Sequence, residues 1–262
     1  MKIIVFIKQV PDTATKIVVS PDGKSIDETN VNFIINPFDE FALEEALRIK
    51  DRDPSTEVTV ISLGKERTQN ALRSALAMGA DRAVLLKDEA LQASDAGTTA
   101  RVLVAALRGV PFDLLFFGKQ GVGADQGQVG IRVAEALSLP HAGVVVNLEV
   151  DGGRAVAERE IEGAHEILNF ALPAVVTAQK GLNEPRYASL KGIMAAKKKP
   201  IEIKDCAAIG LAADQVGESG SLTRIKKLTL PPARNEGHKI EGDPVSQAKE
   251  LIRLLREEAK VL

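Results

Sequence analysis

The chain has 262 residues, of which 45% are hydrophobic and 27% charged, and its formal net charge is −2. This composition is that of an ordinary globular protein with a substantial core, and so small a net charge excludes a bulk attraction to nucleic acid or to a membrane surface. The absence of tryptophan and the single tyrosine argue against a base-stacking platform, so we predict no nucleic-acid partner.

Short apolar runs alternate with longer helical patterns over the first 140 residues. The predicted elements are, in chain order, a strand at 3–7, a helix at 38–50, a strand at 57–64, a helix at 68–79, a strand at 82–88, a helix at 94–109, a strand at 112–118 and a helix at 125–138. Asn36 is a candidate N-cap of the first helix, with Pro37 at its first position. This alternation predicts an α/β fold with a doubly wound, mostly parallel sheet.

The pattern changes in the second half of the chain. Two apolar runs flank Asp151-Gly152-Gly153, which indicates a small hairpin insertion, and 173–178 is a further short strand. Residues 200–244 show no periodicity, and an amphipathic helix is predicted at 245–259. A structureless stretch of that length is unusual inside a compact domain, so it is either a disordered tail or an arm that lies on a partner. Because the final helix favours the arm, we predict an α/β domain over 1–199 and an extended C-terminal arm over 200–262.

Cysteine and histidine are too few and too scattered to indicate a catalytic or metal site. The only cysteine, Cys206, cannot form an internal disulfide, which favours a reducing compartment. The three histidines show no metal-ligand spacing, so no metal site and no catalytic residue is predicted. The apolar N-terminus is too short to span a membrane and has no signal-peptide cleavage pattern. We therefore expect a cytoplasmic protein that is not itself embedded in a membrane.

A glycine-rich stretch, "GKQGVGADQGQVG", runs from Gly118 to Gly130 between a buried strand and a helix. Glycine lets a backbone approach a phosphate closely, and the following helix offers unpaired N–H groups at its N-terminus. The stretch has neither the dinucleotide-binding fingerprint nor the Walker motif, so an ordinary NAD-binding domain and a phosphate-transfer site are disfavoured. On these residues alone, a nucleotide site and a flexible turn both remain open.

Several strings together resemble the small (beta) subunit of electron transfer flavoprotein. They are "INPFDEFALEEALRIK", "ALAMGADRAVLL", "GKQGVGADQGQVG" and "PAVVTAQKGLNEPRYASLKGIMAAKKKPIE". The resemblance implies a heterodimer with a larger alpha subunit, which holds most of a redox-active FAD, while the beta subunit holds a buried AMP. It further implies that electrons pass from partner dehydrogenases to a membrane quinone oxidoreductase or another acceptor, and that the arm at 200–262 wraps onto the alpha subunit.

The resemblance also implies which residues bind the cofactors, all at the carboxyl ends of strands or at the start of the following helix. The family contacts to AMP map onto Phe6, Asn36, Pro37, Phe38, Asp39, Leu63, Gly118, Lys119, Gln120, Gly121, Val122, Gly123, Ala124, Asp125, Gln126, Gly127, Gln128 and Val129. Phe38 stands at the position that packs near the flavin in relatives. Thr13 replaces a tyrosine that leans toward the flavin in some relatives, so that contact is not carried over.

The string "LNEPRYASLKGIMAAKKKP" at 182–199 and Pro200 corresponds to the family's recognition loop, which docks onto partner dehydrogenases. The resemblance makes Leu190 the anchor, with Tyr187, Ile193 and Met194 beside it. An exposed apolar side chain on a projecting loop can fill a partner's pocket as a binding hot spot. The run Lys197, Lys198 and Lys199 can steer acidic partners. The alternative interpretation is a solvated linker, with Leu190 in the core.

Two other functions stay open at this point. In a flavin-bifurcating relative, a second FAD replaces AMP, and the associated pattern is Asp-Thr-x-x-Thr-Ser; here "SDAGTTA" keeps Asp95 and Thr99 but has Ala96 and Ala100. An adenine-nucleotide-hydrolysing enzyme would share the Rossmann-like sheet. It would need a phosphate loop after the first strand, and "IKQVPDTATK" offers none.

Overall fold

The computed structural model describes residues 1–232 and 237–262, which form two compact units, Met1–Lys226 and Lys227–Leu262. The strands are β1 (Lys2–Phe6), β2 (Gln9–Pro11), β3 (Phe33–Ile35), β4 (Glu57–Leu63), β5 (Arg82–Leu86), β6 (Leu114–Gly118), β7 (His141–Asp151), β8 (Arg154–Ile161), β9 (Ala164–Ala171), β10 (Ala174–Ala178) and β11 (Ile201–Lys204). The helices are α1 (Pro37–Arg52), α2 (Gln69–Met78), α3 (Ala96–Ala106), α4 (Val129–Ala136), α5 (Leu190–Lys198), α6 (Gly217–Gly220) and α7 (Pro244–Glu257).

The first unit is built on a nine-stranded sheet with the order β11-β5-β4-β1-β6-β10-β7-β8-β9. Strands β11 to β7 of this order are parallel, and only the pairs β7–β8 and β8–β9 are antiparallel. The chain moves outward from β1 through β4 to β5 and then returns to the other side of β1 as β6. The predicted doubly wound, mostly parallel sheet is therefore confirmed, and its winding direction reverses between β1 and β6.

Hydrophobic residues cover both faces of the central strands. Along β1, Ile3 and Val5 pack with α1 and α2, whereas Ile4 and Phe6 pack with α3 and α4 on the opposite face. Successive side chains of a strand point to opposite faces, so a strand that is buried on both sides reads as a continuous apolar run. The result is a three-layer arrangement in which β1 and β6 lie at the centre.

The predicted hairpin is present, but it extends the main sheet at one edge. Asp151 pairs with Arg154 across the two-residue turn Gly152-Gly153, and both glycines have positive φ, as a type I′ turn requires. A third strand, β9, was not predicted. It pairs with β8 from Arg154–Ala171 to Ile161–Ala164 and forms the edge of the sheet.

The stretch after residue 199 is more ordered than its lack of periodicity predicts. Strand β11 adds in parallel to β5, and Ile209 and Val216 are buried in the core. Residues 233–236 of this stretch lie outside the described residues. The boundary between 199 and 200 stays a prediction. The chain divides into its two compact units between Lys226 and Lys227.

The second unit contains the predicted terminal helix. Asp243 caps α7, and its side chain accepts hydrogen bonds from the backbone N–H groups of Val245 and Ser246. The helix exposes Val245, Leu251 and Ile252. None of the described helices in either unit is both long and apolar enough to cross a bilayer.

Candidate functional site

The candidate site lies where the winding of the sheet reverses. In open α/β sheets, ligands bind outside the carboxyl ends of the strands at this reversal, because the connections diverge there and leave a crevice. The segment after β1 and the glycine-rich loop after β6 border this crevice, and α1 begins beside both. The structure therefore brings together three of the four segments that the family resemblance assigned to the cofactor, and Leu63 is the fourth.

Asp39 joins the ends of the two central strands. The residue is 5% exposed, and its carboxylate accepts hydrogen bonds from the backbone N–H groups of Lys8 (2.6 Å) and Gly118 (3.0 Å). Burial raises the pKa of Asp39 to about 7, although the hydrogen bonds that it accepts favour the ionised form. A Cβ on Gly118 would lie 2.3 Å from a carboxylate oxygen of Asp39, so only glycine allows this approach.

The side chain of Asn36 fixes the glycine-rich loop by two hydrogen bonds. Its side chain is 1% exposed, donates to the carbonyl of Gln120 (2.8 Å) and accepts from the backbone N–H of Val122 (3.0 Å). The sequence predicted Asn36 as the N-cap of α1, and the position is correct, but the side chain makes no capping hydrogen bond. The same amide is instead used to clamp the loop, which lies more than 80 residues away in sequence.

The loop presents backbone donors to solvent. Residues 123–128 are exposed, and the N–H groups of Gly121, Gly123 and Gly127 have no acceptor among the protein atoms of the described chain. Gln128 is the N-cap residue of α4 without a capping hydrogen bond, because its side chain accepts from Arg132. Free N–H groups of this kind, next to the positive end of a helix dipole, attract an anion.

The other predicted cofactor residues lie around this frame. Phe6 stacks on Phe117 with ring centroids 4.5 Å apart and is buried beneath the crevice. The ammonium group of Lys119 lies 5.5 Å from the centroid of the Phe38 ring. Leu63, at the end of β4, is partly exposed. Lys8 belongs to a strand end that the sequence placed near the ligand, but it was not among the predicted cofactor residues; its position two residues beyond β1 is its only signal.

A second feature is the stretch at 182–199, predicted from the family resemblance to be a recognition loop, which carries exposed apolar side chains. Tyr187 is 98% exposed, Leu190 83% and Met194 62%, and Ile193 is also exposed. The alternative interpretation of Leu190 as a core residue is therefore wrong. Helix α5 begins at Leu190, and the side chain of Ser189 caps it by accepting from the N–H of Gly192 (3.0 Å).

Contacts to two buried carboxylates of α1 fix the base of this loop. Arg186 donates to both carboxylate oxygens of Glu44 (2.8 and 2.9 Å) and to Asp51 (2.7 Å), and Glu44 is buried. Asn183 donates to the carbonyl of Phe41 and to buried Glu45, each at 3.0 Å. Removal of one partner from a buried pair leaves an uncompensated charge, so these contacts hold the loop in one orientation. The sequence argument missed Arg186 and Asn183.

The three lysines at the end of α5 differ in their surroundings. Lys197 and Lys198 are exposed. Lys199 donates from its ammonium group to the carbonyl of Ala80 (2.6 Å), and its own carbonyl accepts from Arg73 (2.6 Å). Lys199 therefore fastens the end of α5 to the core, and two of the three charges face solvent.

Comparison with known proteins agrees with this architecture. A family model described as the electron transfer flavoprotein domain matches residues 24–208. The electron transfer flavoprotein subunit beta of Bacillus subtilis is 41% identical over 263 residues, covering 100% of both chains. That of Mus musculus is 38% identical over 258 residues, covering 97% of this chain and 99% of the relative. The caffeyl-CoA reductase-Etf complex subunit CarD of Acetobacterium woodii is 38% identical over 259 residues, covering 98% of each.

The family match spans the strands and loops that form the crevice from α1 onward, together with the recognition loop. The beta subunits align with this chain from end to end at about 40% identity. The chain belongs to the electron transfer flavoprotein family.

Proposed function

We propose that this chain is the beta subunit of a heterodimeric electron transfer flavoprotein, and that it holds a structural AMP in the crevice while most of the FAD lies on the alpha subunit. The observation that carries the proposal is the clamp of Asn36 on Gln120 and Val122. The buried side-chain amide of Asn36 fixes the backbone of an exposed loop, which indicates that the geometry of this loop matters for a ligand.

The residues of the crevice fit a nucleotide monophosphate. The N–H groups of Gly121, Gly123 and Gly127 and the uncapped start of α4 are suited to bind a phosphate. A structural AMP is only bound, so the site needs no acid or base catalyst. Bound FAD supplies the one-electron chemistry of such a complex. The chain's own part is to position it, and Phe38, whose ring is partly exposed under Lys119, is the residue that we assign to the flavin side.

The exposed apolar side chains support the proposed partners. Leu190 and Met194 on α5 are suited to the pocket of a partner dehydrogenase, from which electrons would pass to a quinone oxidoreductase or another acceptor. Val245, Leu251 and Ile252 on α7 form an apolar stripe that we assign to the alpha subunit. A cytoplasmic location remains a prediction from the sequence.

A second candidate is the beta subunit of a flavin-bifurcating complex, with FAD in place of AMP. The 38% identity to a subunit of a caffeyl-CoA reductase-Etf complex favours it. Against it, Asp95 caps α3 by accepting from Thr98, and it also accepts from the N–H groups of Leu222 and Thr223. These hydrogen bonds lower the pKa of Asp95 to about 2, and the bond from the Thr98 N–H has the largest effect. The carboxylate of Asp95 is therefore already occupied by donors of the protein itself.

The nucleotide content of the purified complex separates the two candidates. The chain should be co-expressed with an alpha subunit, purified as the heterodimer and denatured, and the released nucleotides identified by mass spectrometry. We expect equal amounts of FAD and AMP. Two FAD per heterodimer would favour the second candidate, and the absence of any adenine nucleotide beyond one FAD would contradict both.

A further inference from the structure

Lys8 is held in place at the crevice by its backbone. Its N–H donates to Asp39 (2.6 Å), and its carbonyl accepts from the N–H of Asn36 (2.8 Å). Both partners belong to the start of α1, and Asp39 is buried. The main chain of Lys8, two residues beyond the end of β1, is therefore fixed, and its side chain leaves from a defined point.

The side chain of Lys8 lies along the glycine-rich loop. A Cβ built on Gly121 would meet the Lys8 Nζ at 3.0 Å and its Cδ at 3.1 Å, so the apolar stem lies against the backbone of Gly121. Asn36 clamps the residues on each side of Gly121, namely Gln120 and Val122. The loop and the ammonium group are thus held beside each other.

The charge of this ammonium group is not balanced by a neighbouring ion pair. Among residues 1–232 and 237–262, Lys8 takes part in no salt bridge, and Asp39 uses its oxygens on backbone N–H groups. On the loop side, Asp125 accepts from the side chain of Gln120 (2.8 Å), and Lys119 adds a second cation above Phe38. An unpaired ammonium group beside free backbone N–H groups favours an anionic ligand.

We propose that Lys8 neutralises the phosphate of the bound adenylate and so makes the crevice selective for a nucleotide over the uncharged nucleoside. This inference rests on the proposed function. The backbone donors of the loop bind the phosphate oxygens in one geometry, and Lys8 supplies the charge. Removing this charge weakens binding of the phosphate and leaves contacts to adenine and ribose unchanged.

The test uses the heterodimer after removal of its adenine nucleotide, with calorimetric titration of AMP and, separately, adenosine at low and high salt. In Lys8→Met we expect AMP to bind about tenfold more weakly, adenosine within about twofold of the wild type, and a smaller salt dependence for AMP. Lys2→Met is the matched control, because it removes the same charge from the exposed opposite end of β1 and should match the wild type.

Three results would overturn the inference. Unchanged AMP affinity in Lys8→Met would show that Lys8 does not contact the phosphate. Equal weakening of AMP and adenosine would show that Lys8 only shapes the crevice. A wild-type heterodimer that binds neither compound would contradict the proposed function together with this inference. The first two results contradict only the role of Lys8, because the wild type still binds AMP.

Discussion

Replacing Leu190 by alanine should lower kcat/KM for reduction of the heterodimer by a partner dehydrogenase about 30-fold, the equivalent of a 2 kcal/mol binding hot spot. Leu190 is 83% exposed at the first position of α5, where the Ser189 cap sets the direction of the helix. The base of the loop is held by Arg186 on buried Glu44, so an anchor at this position is presented in one orientation. The measurement is the initial rate at several heterodimer concentrations.

The control for Leu190 is another exposed aliphatic side chain, outside both the loop at 182–199 and the C-terminal arm. Ile167, on the edge strand β9, is 71% exposed, and Ile167→Ala removes as many side-chain atoms as Leu190→Ala. We expect this variant to react like the wild type, and both variants to unfold at the wild-type urea concentration, because neither side chain is in the core. A dehydrogenase rate that is unchanged in Leu190→Ala, or that falls equally in both variants, would contradict the docking role.

The central part of the fold could be predicted because its sequence pattern is regular. Strand β6 is an uninterrupted apolar run and is buried on both faces, and Gly79 follows the last turn of α2. The edges of the sheet were harder. Strand β11 is only four residues long, and it alternates apolar and charged side chains that are largely exposed. Strand β9 has the same mixed character, and only pairing with β8 shows that it is a strand.

The candidate site was predicted as a set of residues but not as an arrangement. By residue type alone the glycines from Gly118 onward left a phosphate loop and a flexible turn open, and the family resemblance favoured the loop. The role of Asn36 depends on contacts across more than 80 residues, and its type equally suggests a helix cap. Lys8 offers no distinctive pattern, and its importance follows from the proximity of Gly121 and from the lack of an ion pair in the described chain. The sequence can suggest the individual residues of the site, but their contacts across long sequence separations are seen only in the folded structure.

The buried carboxylate of Asp39 leads to a pH-dependent stability. Its pKa is raised from 3.8 to about 7 by burial, so the folded state takes up a proton in a range where the unfolded state has already lost it. The free energy of unfolding must therefore fall as pH rises from about 4 to 7 and then stay level. Between pH 5 and 8 the titration of Asp39 lowers the free energy of unfolding by about 3 kcal/mol.

The contribution of Asp39 is measured as a difference between wild type and Asp39→Asn in urea unfolding of the heterodimer at pH 5, 6, 7 and 8. The amide of the variant and the protonated carboxyl that folded wild type carries at pH 5 are both uncharged, and each offers one carbonyl oxygen to the N–H groups of Lys8 and Gly118. Wild type and variant should therefore differ little in stability at pH 5, and the variant should become the more stable by about 3 kcal/mol at pH 8.

Asp95→Asn provides the matched control for this titration. The pKa of Asp95 is lowered to about 2, so both its folded and unfolded forms are ionised above pH 5 and its stabilising contribution is lost only below about pH 4. Wild type and Asp95→Asn should therefore run parallel from pH 5 to 8, displaced by a constant amount. If wild type and Asp39→Asn also run parallel over this range, Asp39 is already ionised at pH 5, and the junction of β1 and β6 is held by a permanent charge.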